Sequence, residues 1–474
     1  MKRILSINYF LLIIFYSFFY YSCSVSKQIN KQARQYLFSD TAIQHGHIGI
    51  SIFDPSTGKY IYHHNADKYF IPASNTKLFS MYAAMKYLGD SLEAAQYSIL
   101  GEDIVIEPTG DPSFLNSEFT NQPLLSFLKQ NGKTIVINWG NFLDENWGKG
   151  WAWNDYPYYY MAEKSAMPMY GNIAKFYSID DSVRATINHS KPASYIVQPS
   201  LFSNPAYWSS QKFQIPNEIV TDFVRLNSAQ PKTYFSVKKD LNENIFNISL
   251  SYQKEKLQEV PFTADAQTTM LLLTDTIKKS VVSAAQYFKG NVPAELKNNF
   301  KPIFSQPTDS ILKPMMHRSD NFFAEQILLM AGNKLFGHLS TEWTIDSLLK
   351  TDLKDLPQKP RWVDGSGLSR YNLFTPQSFV WLLHKTKKEF SWERIKNILP
   401  TGGEGTLKNY YVSDTPYLFA KTGTLSNNCA LSGYLITKKN KVLIFSVLAN
   451  NYSTGATPVR KAVEKFLKWV RENY

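Results

Sequence analysis

Ser74 and Lys77, in Pro72-Ala73-Ser74-Asn75-Thr76-Lys77-Leu78, stand three residues apart. That spacing puts a hydroxyl and an amine on one face of a helix. A serine is a poor nucleophile until its proton is removed, and an adjacent unprotonated lysine can remove it without a histidine. Alone the pattern is weak, because a capping Ser and a solvated Lys on a surface helix would produce it too. Two further sets follow in order, Ser319-Asp320-Asn321 and Lys421-Thr422-Gly423-Thr424. Together they describe acyl transfer. Ser74 is the nucleophile, and Lys77 is the base, its pKa brought down by burial or neighbouring cations. Ser319 relays a proton between Lys77 and the leaving amine, and Asn321 orients Lys77 and the substrate amide. Asp320 reads as a structural N-cap for the apolar run from Phe322 to Leu328. Lys421, counted with the catalytic set, joins Thr422 and Thr424 in supplying a cation and hydroxyls suited to a substrate carboxylate. Gly423 lets its strand come close to the ligand, and the backbone N–H groups of Ser74 and Thr424 form the expected oxyanion hole.

Positioning these residues requires an ordered scaffold. His47 to Phe53 alternates like a strand, Asp54-Pro55-Ser56-Thr57-Gly58 has turn chemistry, and Lys59 to His64 returns as a second strand. A helix is expected to start near Pro72 and continue with Leu78, Met81, Ala84, Met85 and Leu88 as an apolar stripe. Its N-terminal dipole would favour negative charge developing at Ser74. Val442 to Leu448 reads as a buried strand, and Pro458 to Tyr474 as an amphipathic helix with Val459, Val463, Phe466, Leu467 and Val470 on one face. Between Lys77 and Ser319 lie roughly 240 residues, too many for a loop and enough for one or two inserted domains. Their texture is strand-like at Asp103–Glu107, Thr134–Asn138, Tyr234–Val237 and Ile245–Leu250, and turns helical from about Ala264. A sheet from strands at both chain ends with helices on its faces is an α/β (α+β) layout. The expected division is 24–90 and 263–474 for the catalytic domain, with 91–262 inserted and a nested unit around 183–255.

The 474 residues are 44% hydrophobic, with 29 Tyr and 31 Phe, a composition for a packed globular protein. Residues 1–23 read as an export signal, with Lys2 and Arg3 ahead of an apolar run through Phe15. Cys23 stands where a bacterial lipoprotein carries its acylated cysteine, so two readings stay open: plain cleavage, or lipidation that tethers the protein to a membrane. The second cysteine is Cys429, so no useful internal disulfide is expected. The net charge of +12 suits an anionic polymer or lipid. No clustered basic and aromatic pattern points to nucleic acid. His45, His47, His63 and His64 lack a Cys partner or H-E-x-x-H spacing, so neither a metal nor a cofactor is expected.

The ordered trio is the signature of β-lactamases and penicillin-binding proteins. The chain further resembles the D-alanyl-D-alanine carboxypeptidase/endopeptidase branch of the low-molecular-mass penicillin-binding proteins, the S13 peptidase family. The likeness rests on Trp151-Ala152-Trp153-Asn154-Asp155 with Tyr158-Tyr159-Tyr160, on Asp364-Gly365-Ser366-Gly367-Leu368-Ser369-Arg370, and on Thr401-Gly402-Gly403-Glu404-Gly405-Thr406-Leu407. The long insertion is that branch's hallmark. The resemblance implies a β-lactamase/transpeptidase-like catalytic domain interrupted by one or two strand-rich domains, and an exported, periplasmic enzyme. It implies an acyl-enzyme on Ser74, formed with peptidoglycan stem peptides and cross-links and equally with β-lactams. It also implies that Asp155 meets a cationic amine of the stem peptide. Two other functions share these residues: a β-lactamase or esterase of the same fold, and a wall-binding homologue that has lost activity. Compact β-lactamases lack the long insertion, and every catalytic position here is filled.

Overall fold

A computed structural model describes residues 26–178, 195–204, 234–251 and 257–474. The expected leader with Cys23 lies outside the described residues, as does much of the expected nested unit. The chain divides into two units. The first takes the chain up to Lys86, Asp309–Ala324 and Thr341–Tyr474; the second takes Tyr87–Thr308 and Glu325–Ser340.

The first unit is built on five antiparallel strands in the order Leu418–Leu425, Asn428–Ile436, Val442–Asn450, His47–Asp54 and Lys59–His64. The hairpin from the start of the chain thus extends the sheet made by its end. Ser56 closes the hairpin turn by donating through N and Oγ to Asp54 Oδ1, at 2.8 and 2.6 Å. Although His47–Asp54 looks amphipathic in sequence, every residue after His47 is buried. Helices cover both faces. Ile48, Ile50 and Ile52 enter a core with Val459, Val463, Phe466, Leu467 and Val470 of the Ala456–Asn473 helix. On the opposite face, Gly49 abuts Pro376 and Phe53 meets the His384 ring, both on the Pro376–Glu389 helix. Each large apolar side chain buried this way contributes roughly 1.5–3 kcal/mol, set against the entropy of ordering it.

The second unit contains a five-stranded mixed sheet in the order Ser280–Ser283, Thr134–Ile137, Asp103–Pro108, Ser91–Leu100 and Lys301–Pro307. Its first three strands run parallel, and the rest pair antiparallel. Residues 263–308, expected to return to the catalytic domain, belong here by their pairing: Ser280–Ser283 on Thr134–Ile137, and Lys301–Pro307 on Ser91–Leu100. A three-stranded sheet and a two-stranded ribbon (Tyr234–Lys239 with Phe246–Ser251) complete it among the described residues. The Ala266–Ile277 helix is capped by Asp265, whose side chain accepts from Thr268 N at 2.7 Å, a contact typically worth about 1 kcal/mol. One helix, Asn321–Phe336, is divided between the units after Ala324.

Candidate active site

The nucleophile segment is not the start of an α-helix. Ala73–Thr76 forms a 3₁₀ turn, and the α-helix Lys77–Tyr87 begins only at Lys77. A 3₁₀ turn has three residues per turn, so side chains at i and i+3 eclipse. That stacks Lys77 on Ser74, with Lys77 Nζ 3.0 Å from Ser74 Oγ. The turn is entered through Ala73 at φ +48°, a left-handed conformation that costs a non-glycine residue about 1 kcal/mol or more. Asn450 clamps the approach, accepting from Ile71 N at 2.7 Å and donating to Ile71 O at 3.1 Å. The expected apolar stripe is instead a helix buried on all sides: Lys77 through Met85 are all buried, Ser80 included. Its hydroxyl is satisfied by donating to Gly365 O at 2.6 Å. A central helix has no solvent face for a stripe to oppose.

Lys77 is fully buried and donates to Asn321 Oδ1 at 2.7 Å and to Ser366 O at 2.8 Å as well as to Ser74. Three acceptors match the three donors of an ammonium group. Lys421, also fully buried, donates to Ser319 Oγ at 2.9 Å and to Thr422 O at 2.7 Å. Burial, then the Lys77 cation, then Arg460 hold its pKa well below the ordinary lysine value. Asn75 ties the two motifs by donating to Lys421 O at 3.0 Å. Ser319 sits at φ +66°. Asp320 accepts from Phe323 N at 3.0 Å and from Arg318 Nη2 at 3.0 Å, which caps the helix carrying Asn321.

Two glycines make the close packing feasible. A Cβ on Gly423 would lie 2.5 Å from Pro72 O, so this glycine accommodates the nucleophile turn itself. A Cβ on Gly367 would lie 1.9 Å from Ala73 O, at φ +81°. Gly367 belongs to a loop organised by buried Asp364, which accepts from Gly367 N (2.8 Å), Ser369 N (2.6 Å) and Asn372 Nδ2 (2.7 Å). This loop delivers the Ser366 carbonyl to Lys77.

Of the residues singled out in the sequence, Ser74, Lys77 and Asn321 form one bonded group and Ser319 and Lys421 a second. Thr422 donates to Thr406 Oγ1 at 2.7 Å, and Thr424 Oγ1 accepts from Arg460 Nη2 at 2.5 Å. Asp155 lies in the second unit, within a short 3₁₀ turn, where it accepts from Tyr160 OH at 3.1 Å. Sequence reasoning gave no role to Asn75, Ser366, Thr406 or Arg460. The first three lie inside recognisable segments; Arg460 carried no signal. Among the described residues, no group of three or more His, Cys, Asp and Glu could hold a metal.

Lys421 has a consequence for stability. Its depressed pKa means that the folded protein binds this proton less readily than the unfolded chain does, so folding is penalised below the folded-state pKa. The penalty fades as pH rises toward the ordinary lysine value. Lys421→Met is therefore expected to be about 1–2 kcal/mol more stable than the parent at pH 7, because a buried charge can be replaced by an apolar group without loss. Denaturation at pH 7 and pH 10 checks this, and the advantage should shrink at the higher pH. A variant less stable at pH 7 would contradict it.

A Ser–Lys pair at a turn feeding the central helix of a helix-flanked antiparallel sheet is the layout of the penicillin-recognising serine hydrolases. The fold agrees with the crystal structure of penicillin binding protein 4 (dacB) from Haemophilus influenzae, at a TM-score of 0.68 and 19% identity over 94% of this chain and 99% of that one. D-alanyl-D-alanine carboxypeptidase DacB from H. influenzae is 23% identical over 424 residues, 83% of either chain. A D-alanyl-D-alanine carboxypeptidase from Actinomadura sp. is 25% identical over 464 residues, 89% of this chain and 81% of that one. The family model for D-Ala-D-Ala carboxypeptidase 3 (S13) matches residues 30–472. The chain belongs to that family.

Proposed function

We propose that this protein is a serine D-alanyl-D-alanine carboxypeptidase and endopeptidase that cleaves peptidoglycan stem peptides and cross-links through an acyl-enzyme on Ser74. The observation that carries the reading is the 3.0 Å approach of Lys77 Nζ to Ser74 Oγ, with Asn321 and Ser366 fixing the amine. Lys77, once it has given up its own proton, takes the Ser74 proton as Oγ bonds to the carbonyl carbon of the D-Ala–D-Ala linkage. The oxyanion is met by the N–H groups of Ser74 and Thr424. The C–N bond then breaks, and the proton passes from Lys77 through Ser319 to the departing amine. Water hydrolyses the ester by the reverse sequence and frees Ser74.

Burial first, then the Lys77 and Arg460 charges, hold Lys421 below the ordinary lysine pKa. Lys421, Thr422 and Thr424 receive the substrate's terminal carboxylate, with Gly423 between them. Asp155 meets a cationic amine on the stem peptide. A β-lactam, which presents a strained amide and a carboxylate, acylates the same serine. The substrate places the enzyme outside the cytoplasm, in the periplasm, either released by cleavage of its leader or anchored by lipid at Cys23. Among the described residues no helix is long and apolar enough to cross a membrane.

Incubation with defined muropeptide monomers and cross-linked dimers, followed by mass analysis, tests the reaction. Release of D-alanine from pentapeptide and splitting of D-Ala cross-links are expected. Recovery of both substrates intact would overturn the assignment.

A further inference from the structure

Arg460 is in the second turn of the Ala456–Asn473 helix, whose first turn carries no acidic residue. Three other arginines of this unit have carboxylate partners, Arg318 with Asp320 at 3.0 Å, Arg394 with Asp309 at 2.8 Å and Arg471 with Asp414 at 3.3 Å, whereas Arg370 donates to the Ser426 carbonyl and Arg361 lies over the Tyr371 ring. No carboxylate among the described residues lies within 4.0 Å of the Arg460 guanidinium. Its guanidinium instead donates to Thr424 Oγ1 at 2.5 Å, also reaches the buried Cys429 thiol, and has its carbon 5.9 Å from the Tyr410 ring centroid. A cation near a helix N-terminus opposes the macrodipole.

The hydrogen bond has a directional consequence. A threonine hydroxyl has one hydrogen to give and two lone pairs to receive with. Arginine can only donate, so it occupies a lone pair of Thr424 and leaves the Thr424 hydrogen uncommitted. Thr422, two residues earlier and on the same face of the strand, is in the opposite condition: its hydrogen is given to Thr406 Oγ1 at 2.7 Å. Of the two hydroxyls, only Thr424 is set to donate to an incoming anion without breaking a bond first. The guanidinium adds positive charge behind it, and a hydrogen bond to an ionised acceptor is about twice as strong as a neutral one.

We infer that Arg460 is a positioning residue that sets Thr424 as the donor to the substrate's terminal carboxylate and so makes the enzyme selective for peptides with a free C-terminus. This rests on the carboxylate subsite proposed above and adds its selectivity mechanism. Arg460 acts through Thr424, not by touching substrate.

The test compares kcat/KM for a peptide ending in D-Ala-D-Ala with a free carboxylate and for the same peptide ending as an amide. Arg460→Met is expected to lower the acid-to-amide ratio about tenfold, through KM more than kcat, and Arg460→Lys to restore most of it. In a Thr424→Val background, Arg460→Met should produce no further loss, because the intermediary is gone. Should Arg460→Met fail to fold, Arg460→Gln carries the same comparison. An unchanged ratio, equal losses on acid and amide, or losses that add to those of Thr424→Val would each overturn the inference. Full end-point labelling of the variant by a fluorescent penicillin, with an unchanged ratio, would sink this inference alone. An unlabelled parent enzyme would sink the acyl-enzyme reading beneath it.

Discussion

Lys77→Met is expected to lower the rate of penicillin acylation by about three to four orders of magnitude, while the protein stays folded. Methionine fills nearly the same volume as the lysine stem, so the central helix keeps its packing. What disappears is the amine 3.0 Å from Ser74 Oγ. A positioned general base contributes roughly 10²–10⁴ in rate, and here the same amine also passes the proton onward, which puts the effect at the upper end. Two buried acceptors, Asn321 Oδ1 and Ser366 O, lose a donor, at about 1–3 kcal/mol each, offset by removal of a buried charge. Lys77→Arg supplies the contrast: it keeps the cation but cannot give up its proton at any working pH, and should be as slow as the Met variant. Ser74→Ala sets the floor, with no covalent label. Time courses with a fluorescent penicillin decide the matter. Acylation of Lys77→Met within tenfold of the parent would remove Lys77 from the base role.

Gly367→Ala is expected to be the most damaging single-methyl change at the site. The new Cβ would sit 1.9 Å from Ala73 O, 2.5 Å from Ala73 C and 2.8 Å from Thr76 Oγ1. The neighbouring atoms are mostly backbone, so no side chain can swing aside. Left-handed strain adds to overpacking, and together they give about 3–5 kcal/mol. Relief requires the Asp364 loop to withdraw, which takes the Ser366 carbonyl from Lys77, so acylation should fall with stability. Gly58→Ala isolates the backbone component. Its φ of +68° is similar, yet nothing lies within 4 Å of the added methyl, and a loss of about 1 kcal/mol is expected. Thermal midpoints and acylation rates of both variants provide the comparison. Equal destabilisation of the two would show that the packing against Ala73 is not what demands glycine.

The parts of this molecule legible in its sequence are those encoded by nearby residues. The hairpin from His47 to His64, the buried strand from Val442 and the amphipathic stripe from Val459 to Val470 each declare themselves within fewer than twenty positions. Ser74, Lys77 and Asn321 were legible because their types and order are unusual together, and their direct contacts follow. What stayed hidden depends on residues far apart in the chain. The third acceptor of Lys77 is a backbone carbonyl 289 positions away, and a carbonyl has no residue type to read. The positive φ of Ala73 is imposed by surroundings, since alanine has no preference for it. In sequence the helix after Lys77 looks one-sided, because periodicity reports an apolar face and cannot say whether the other face is covered too. Residues 263–308 follow their strand partners near 97 and 135, a non-local choice that composition does not record.

The helix Asn321–Phe336 has a bearing on how such a protein is inherited. Its first residues, with Asn321, count with the unit that contains Ser74; Glu325 onward counts with the strand-rich unit, and Ile327, Leu328 and Leu329 are buried. The second unit is therefore no cassette bounded by two cut points. Excising 87–308 would strand the greater part of a helix with its apolar side chains in water, and transplanting that span would leave its recipient short of the same part. Gain or loss of this unit by a single recombination event is penalised from either side, so the two segments are expected to be inherited together.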